Sequence, residues 1–413
     1  MNFRLKILNL LHWSEQYTQT DMVYLAKGGF WLVLGQIITS LMGFFLVIAF
    51  ANLLPKETYG TYKYVIGLSG LLGAFSLNGM TTAVARSVAK GFEGTFIKSL
   101  WVQLKWGLLI FMVALGVSLY YFTHDNNTLG IALLIVGCTA PLINSANTYE
   151  AFLNGKKNFQ LSTKFGIVSS LVCSLAVLAT MIIAPQPVFL ILAYFTANAA
   201  MMVFFCWRTI TLLKPNRLED ASAISYGKHL SVMNAANGLA FYLYGPLIFH
   251  FLGSAELAIY AMAIALPEQI KAVFKNLSSL ILPKASEQTD ASINRTLGRK
   301  MTVFLLALAI STVAYIILAP FFYQIFFPKY TVSIFYSQLY AISLIATASL
   351  LPNTVLQAQA ATKKLYYFNI ITSVLQIVLL AAFIYWWGLM GAIASRVIAR
   401  FANLFFSFWL IKN

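Results

Sequence analysis

Long apolar stretches alternate with short polar segments along the whole chain of 413 residues. A helix needs about 20 mostly apolar residues to cross a lipid bilayer, and the pattern predicts twelve such spans. They cover residues 28–50, 61–84, 98–122, 129–151, 161–184, 188–210, 226–251, 255–282, 300–322, 331–352, 366–387 and 389–411. The longest predicted connection, residues 283–299, is too short for a soluble catalytic domain. The predicted fold class is therefore an all-α polytopic membrane protein.

Composition supports this interpretation and narrows the function. Hydrophobic residues make up 60% of the chain and charged residues only 10%, whereas a soluble domain carries about 25% charged residues. This balance excludes a soluble enzyme and a disordered protein. Cys138, Cys173 and Cys206 lie in apolar stretches without a C-x-x-C spacing, and the four histidines are scattered. We therefore predict no disulfide framework, no metal site, no catalytic residue and no cofactor, and the chain lacks a P-loop motif.

The formal net charge of +16 originates on one side of the predicted bundle. With the N-terminus in the cytoplasm, 23 of the 28 Lys and Arg residues lie in cytoplasmic loops and helix ends, which is the asymmetry typical of membrane proteins. Only Lys56, Lys63 and Lys329 fall on the opposite side, and Arg396 and Arg400 fall inside the last span. The distribution predicts that both termini lie in the cytoplasm. It also indicates that the positive charge reflects the cytoplasmic loops of a membrane protein and not a surface that binds nucleic acid.

The two halves of the chain resemble each other at an offset of 198 residues. The matching pairs are Gly29/Gly227, Leu54/Leu252, Tyr62/Tyr260, Asn78/Asn276, Thr81/Ser279 and Arg86/Lys284. Parallel repeats of six spans are typical of transporters whose substrate site lies between the halves. We predict an N-lobe over residues 28–212 and a C-lobe over residues 213–413. The preceding segment, residues 1–27, is interpreted as an amphipathic helix on the membrane surface, because its apolar residues recur at helical spacing.

Several short motifs recur in an order that is typical of one family. They are Phe50-Ala-Asn-Leu-Leu-Pro-Lys-Glu-Thr-Tyr-Gly-Thr-Tyr62 after the first span, Asn78-Gly79 and Ala85-Arg86 at the end of the second, Asn154-Gly155-Lys156-Lys157 after the fourth, Ala360-Ala361-Thr362-Lys363-Lys364 after the tenth, and Gly388-Leu389-Met390-Gly391-Ala392 before the twelfth. Together they resemble the motifs of the polysaccharide flippases, the O-antigen exporters of bacterial membranes. The resemblance covers essentially the whole chain.

The resemblance implies the fold of the multidrug/oligosaccharidyl-lipid/polysaccharide exporter superfamily. In that fold, two six-helix lobes surround a central cavity that opens alternately to each side. The implied function is to move a polyprenyl-pyrophosphate-linked oligosaccharide from the inner to the outer leaflet of the bacterial inner membrane, for cell-surface polysaccharide assembly. The expected partners are this lipid-linked oligosaccharide and membrane lipids but no nucleic acid, and a polymerase and other glycan-assembly proteins are further candidates. A proton or sodium gradient is the candidate energy source.

Cations inside the predicted spans are the strongest candidates for substrate binding. Arg396 and Arg400 share a helix face at spacing i, i+4, and an arginine at the bilayer centre costs at least ~2.5–3.5 kcal/mol, so neither should face lipid. Glu268 and Lys271 share a face of the eighth span, directly after Pro267. We predict that the three cations bind pyrophosphate and that Glu268 is their charge partner or a coupling-ion ligand. The alternative is that these residues form structural ion pairs between helices.

Other candidates lie nearer the helix ends or are uncharged. Arg86 and Lys284 occupy matching positions at the cytoplasmic ends of the second and eighth spans, where they either guard the cavity mouth or reach the interface. Glu150, at the end of the fourth span, is a second candidate for a proton or sodium ligand, or an interface residue. The polar residues predicted to line the cavity are Gln36, Ser40, Asn78 and Asn276, and each would bind sugar or join two helices.

Two other functions remain open from the sequence. A cation-coupled multidrug exporter of the same fold binds organic cations and usually needs acids within the membrane, whereas cations outnumber acids in these spans. A membrane-embedded enzyme of glycan assembly commonly carries a large extramembrane loop or an acidic metal-binding motif, and the sequence shows neither. The balance of charges therefore favours the flippase hypothesis.

Overall fold

A computed structural model describes residues 22–279, 290–353 and 362–412, and places them in helices joined by short turns. The α-helices are α1 (Met22–Leu53), α2 (Lys56–Ala74), α3 (Met80–Ala89), α4 (Gly94–Thr123), α5 (Asn127–Ala146), α6 (Thr148–Gly155), α7 (Phe159–Ile183), α8 (Pro187–Leu213), α9 (Ala223–Tyr242), α10 (Tyr244–Leu252), α11 (Ser254–Ser279), α12 (Asp290–Phe326), α13 (Ser333–Ala341) and α14 (Thr362–Lys412). A 3-10 helix, Ile342–Ser349, continues α13. Of the predicted N-terminal segment, residues 1–21 lie outside the described residues and residues 22–27 begin α1.

Ten segments of the described helices are long and apolar enough to cross a membrane. The last of them, Tyr366–Trp409, bends at Gly388, whose φ of 54° is open to glycine without steric cost. Helices α2 and α3 together match the second predicted span, but they separate at residues 75–79. The all-α class is confirmed, and the architecture is consistent with the twelve predicted spans.

Prolines inside the helices remove backbone hydrogen bonds that a lipid core cannot replace with water. In α12, Pro320 leaves the carbonyl of Ile316 without its helical partner. Gln338 of α13 donates its side-chain amide to this carbonyl at 2.9 Å. The Gln338 side chain thus replaces the hydrogen bond that Pro320 removes, and this contact connects the ninth and tenth spans.

Helix α2 joins the first half of the chain to the second by packing against α9, α10 and α11. Glycines bring the backbones close: a Cβ built on Gly60 would lie 1.8 Å from the carbonyl oxygen of Ser254, and one built on Gly79 would lie 2.5 Å from that of Gly227. The Gly79 amide also donates to Ser231 Oγ at 2.9 Å. Small residues commonly allow such close packing in membranes. The division into two lobes itself stays a prediction.

The linker between α8 and α9 is bonded to the turn between α3 and α4. The amide of Glu93 donates to Asn216 Oδ1 at 3.2 Å, and the amide of Asn216 donates to Glu93 Oε2 at 3.1 Å. Lys156 donates to the same carboxylate. Burial opposes ionisation of Glu93, but the hydrogen bonds from Lys156 and Asn216 outweigh burial and hold the pKa of Glu93 below its ordinary value of 4.5. The linker is therefore fastened to the first half of the chain.

The closeness of α2 to α11 predicts a strong position dependence for glycine replacement. We expect Gly60→Ala to lower the melting temperature of the detergent-solubilised protein, because the added methyl group overlaps a backbone carbonyl and overpacking costs about 1–3 kcal/mol. Gly73→Ala is the matched control, since no atom lies within 4 Å of a Cβ at that position of the same helix. Equal melting temperatures for the two variants would contradict the packing.

The ionised Glu93 carboxylate is expected to stabilise the fold in a pH-dependent manner. Because its pKa is lowered by folding, its contribution is fully present above pH 4.5 and is lost as the pH falls through the lowered value. We therefore expect Glu93→Gln to melt a few degrees below the wild type at pH 7, and this difference to shrink below pH 4.5. Glu219→Gln is the control, because the Glu219 carboxylate pairs with Lys98 at the exposed surface. A constant difference across the pH range would argue against the assignment.

Candidate functional site

Glu268 holds two cations together within the second half of the chain. Its carboxylate forms an ion pair with Arg400 of α14 and a weaker one with Lys271, whose Nζ lies 3.4 Å from Oε2. The Tyr340 hydroxyl donates to the same carboxylate, and Arg400 Nη1 donates to Ser343 Oγ at 2.9 Å. These contacts link α11, α13, the 3-10 helix and α14, and they fit both a charge partner of the cations and a structural ion pair.

The local structure explains why these side chains meet. Pro267 lies inside α11 directly before Glu268 and removes one helical hydrogen bond there. The 3-10 helix places Ser343 and Thr347 opposite α14, since the tighter helix turns more sharply than an α-helix. Arg400 lies one turn after Arg396 in α14, as the spacing predicts.

Arg396 is held by aromatic rings instead of a carboxylate. Only 4% of the residue is exposed, and its Nη1 donates to the Tyr260 hydroxyl at 2.5 Å. The guanidinium carbon lies 4.8 Å from the ring centroids of Phe241 and Tyr244, and 5.9 Å from that of Tyr340. No described carboxylate forms an ion pair with it. Cation–π contacts thus stabilise a charge that no described acid neutralises.

A cavity of about 230 Å³, here called the cation cavity, opens beside this cluster. Its lining includes Phe241, Lys271, Gln376, Arg396, Arg400 and Asn403. Thr347 also lines it, and the Thr347 hydroxyl and the Asn403 side-chain carbonyl are buried without a hydrogen-bond partner among the described residues. Together with Glu268, the three cations of the wall carry a net charge of +2 at neutral pH. The cavity is therefore suited to an anion that brings additional polar groups.

The other candidate site residues lie apart from the cation cavity or outside the described part of the chain. Arg86 is exposed, and its guanidinium carbon lies 5.2 Å from the ring centroid of Tyr226. Gln36 donates its side-chain amide to Ser40 Oγ at 3.0 Å within α1. Glu150 lines another cavity, of about 500 Å³. None of these four candidates lines the cation cavity. Lys284 lies outside the described residues, and the side chain of Asn276 is not described.

Asn78 lines a third cavity, here called the amide cavity, of about 270 Å³. Its polar lining residues are Ser69, Asn78, Asn144, Tyr194, Asn198 and Tyr242. The Asn78 side chain forms hydrogen bonds on both sides of the break between α2 and α3. Ser76 Oγ donates to Asn78 Oδ1 at 2.7 Å, and Asn78 Nδ2 donates to the carbonyl of Gly73 at 2.9 Å. The side chain thus replaces helical hydrogen bonds where the second span is broken.

The aromatic residues around Arg396 are the part of the site that the sequence analysis missed. Aromatic residues make up 15% of the chain, so single ones stand out little. One signal is present in the tenth span, where Tyr340, Ser343 and Thr347 follow each other at spacings of three and four. In an α-helix this spacing would place all three on one face, whereas the structure has Ser343 and Thr347 in the 3-10 helix. No group of three potential metal ligands occurs among the described residues, and the three cysteines are free thiols.

The described helices and the cation cavity define a polytopic membrane protein with an internal cavity lined by three cations. The profile of the polysaccharide biosynthesis protein family matches residues 25–273, more than half of the chain, so the chain belongs to that family. No curated protein matches the chain.

Solved structures share the fold at low sequence identity. The lipid II flippase MurJ, in an inward closed conformation, superposes with a TM-score of 0.74 at 14% identity, over 92% of this chain and 87% of that one. An outward-facing multidrug resistance MATE family transporter of the MOP superfamily gives 0.64 at 13% identity, over 94% of both chains. A MOP superfamily transporter from Pyrococcus furiosus gives 0.62 at 13% identity, over 94% of this chain and 95% of that one.

The Glu268–Arg400 pair predicts a non-additive response to mutation. We expect Glu268→Gln to lower the melting temperature, because removing one partner of this partly buried pair leaves an uncompensated charge, at a cost below the ~3–5 kcal/mol of a fully buried pair. The double variant Glu268→Gln/Arg400→Gln should lose less than the sum of the two single variants. Thermal melting of the four proteins in detergent measures this coupling, and strictly additive losses would contradict the pair.

Proposed function

We propose that the protein is a flippase for a polyprenyl-pyrophosphate-linked oligosaccharide in the bacterial inner membrane. The observation that carries this proposal is the charge of the cation cavity. A pyrophosphate diester has two negative charges at neutral pH, and Lys271, Arg396, Arg400 and Glu268 together supply a net charge of +2. Arginine and phosphate pair through two parallel hydrogen bonds, which makes this recognition strong and directional.

Contacts within the protein would compensate these cations before the substrate arrives. Glu268 engages Arg400 and Lys271, and the aromatic rings engage Arg396. A bound pyrophosphate would take over part of the role of Glu268 and release that carboxylate. The lipid tail would stay in the surrounding hydrocarbon, so only the polar head group has to cross the bundle.

Alternating access of two six-helix lobes is the proposed mechanism, with both termini in the cytoplasm and a proton or sodium gradient as the energy source. The solved structures of the same fold carry the names of a flippase and of transporters, which supports transport over catalysis. Within that class, a site for organic cations is disfavoured, because the cation cavity would repel them. A polymerase and other glycan-assembly proteins are proposed partners downstream of the transfer.

The proposal predicts that charge removal in the cation cavity weakens binding of a sugar-free pyrophosphate lipid. We expect Lys271→Gln and Arg400→Gln to bind farnesyl pyrophosphate roughly tenfold to a hundredfold more weakly than the wild type, since a hydrogen bond to a charged group contributes about 1.5–3 kcal/mol. Calorimetry on the purified protein in detergent measures the affinity. Lys275→Gln is the control, because Lys275 is an exposed residue one turn further along α11.

The cellular consequence can be measured separately. Cells in which the double variant Arg396→Gln/Arg400→Gln replaces the wild-type protein should accumulate the complete lipid-linked oligosaccharide in the cytoplasmic leaflet. Mass spectrometry of extracted lipids would detect this accumulation, and an impermeant probe would assign the leaflet. Wild-type polysaccharide export by this variant, at normal membrane insertion, would overturn the proposal.

A further inference from the structure

The amide cavity differs chemically from the cation cavity. It lies among α2, α5 and α8, and Tyr242 at the end of α9 completes its wall. Its described lining contains three asparagines, a serine and two tyrosines but no Asp, Glu, Lys, Arg or His. Polar groups inside membrane spans normally pair with one another or mark a pathway for a polar solute. The lining therefore provides hydrogen-bonding groups without a charge of its own.

Asn198 carries an unused hydrogen-bond acceptor in this cavity. Its side-chain oxygen Oδ1 is buried and has no partner among the described residues. A buried amide oxygen without a donor is unfavourable and is therefore uncommon in folded proteins. Asn198 lies in the middle of α8, where helix geometry demands no asparagine. The Tyr194 hydroxyl, one turn earlier in α8, is hydrogen-bonded to the Asn198 side chain, so the two groups form a polar pair at the wall of the cavity.

The shape of the amide cavity depends on two glycines of α2, Gly70 and Gly73, and on the rings of Tyr194 and Tyr242. The ring of Tyr242 lies so close to α2 that a Cβ on Gly70 would meet its Cδ1 at 2.1 Å. No atom lies within 4 Å of the Cβ position of Gly73, one turn further along the same wall. Tyr194 adds a second ring from α8. Side-chain amides offer donors and acceptors to hydroxyl groups, and aromatic faces accept the apolar face of a sugar ring.

The two cavities share a wall. Phe241 lines the cation cavity and Tyr242, the next residue, lines the amide cavity. Helix α9 ends at this pair, and the span is interrupted at Leu243. One helix end therefore borders both a site suited to an anion and a site suited to a neutral, hydroxyl-rich group. A lipid-linked oligosaccharide contains these two groups in direct succession.

We propose that the amide cavity is a binding site for a neutral sugar of the lipid-linked oligosaccharide, separate from the site of its pyrophosphate. This inference rests on the function proposed above. Asn198 and Asn144 supply side-chain amide contacts to sugar hydroxyls, and Tyr242 covers the face of the ring. The second cavity gives the protein a means of distinguishing a glycosylated lipid from the bare carrier.

The test compares the effect of each variant on a glycosylated lipid with its effect on the bare carrier, whose terminal phosphate has one more ionisable oxygen. The bare carrier is undecaprenyl pyrophosphate, and the glycosylated lipid is the undecaprenyl-pyrophosphate oligosaccharide extracted from cells depleted of the protein. Binding to the purified full-length protein is measured by native mass spectrometry. We expect Asn198→Leu and Asn144→Leu each to weaken binding of the glycosylated lipid roughly fivefold to tenfold. The affinity of these variants for undecaprenyl pyrophosphate should stay within about twofold of the wild-type value, because the pyrophosphate is proposed to bind in the cation cavity and not in the amide cavity.

Two controls separate this inference from the proposed function. Thr196→Val removes a polar group from an exposed position of the same helix and should bind both lipids like the wild type. Arg400→Gln should weaken both lipids, and an unchanged affinity there would overturn the pyrophosphate site whatever the asparagine variants do. Asparagine variants that fold with wild-type melting temperatures and affect both lipids equally, or neither, would overturn the sugar site. Asn144→Leu keeps the test decisive if Asn198→Leu does not fold.

Discussion

The central constraint on this molecule is the presence of three cations inside a helical bundle that crosses a membrane. A charged side chain in hydrocarbon is tolerated only when an opposite charge or surrounding polar or aromatic groups stabilise it. Both kinds of stabilisation occur here in neighbouring residues. Glu268 neutralises Arg400 and Lys271 in part, whereas the rings of Phe241, Tyr244 and Tyr340 surround Arg396. The proline in α11 and the 3-10 helix after α13 are the local features that bring these partners within reach.

Interrupted helices are the means by which the bundle forms polar cavities. The second span breaks at residues 75–79, the seventh is divided at Leu243 although its backbone angles stay helical there, and the tenth changes to a 3-10 helix at Ile342. Irregular backbone at membrane depth is tolerated where it is buried or borders a cavity. The breaks of the second and seventh spans border the amide cavity, and the 3-10 helix borders the cation cavity. Both cavities therefore lie beside departures from regular α-helix.

The site was partly predictable from single residues. Charges in an apolar span are rare, so Glu268, Lys271, Arg396 and Arg400 could be singled out without a structure, and they do lie together. Uncharged residues carry no comparable signal, because a hydrogen bond within one helix satisfies them as well as a ligand does. Gln36 and Ser40 illustrate this, since they bond to each other along α1, whereas Asn78 borders a cavity while holding a broken helix together.

The amino-acid sequence by itself determined the class of the protein, its helical spans and the charges inside them, because hydrophobic length and the cost of buried charge are local properties of the chain. Tertiary structure alone decided which groups meet. Glu268 and Arg400 are 132 positions apart, and Arg396 and Tyr260 are 136 apart. No local pattern specifies such contacts, since they depend on how kinked helices pack. For the same reason, only the folded chain reveals that a cationic cavity and a neutral polar cavity lie beside one helix end.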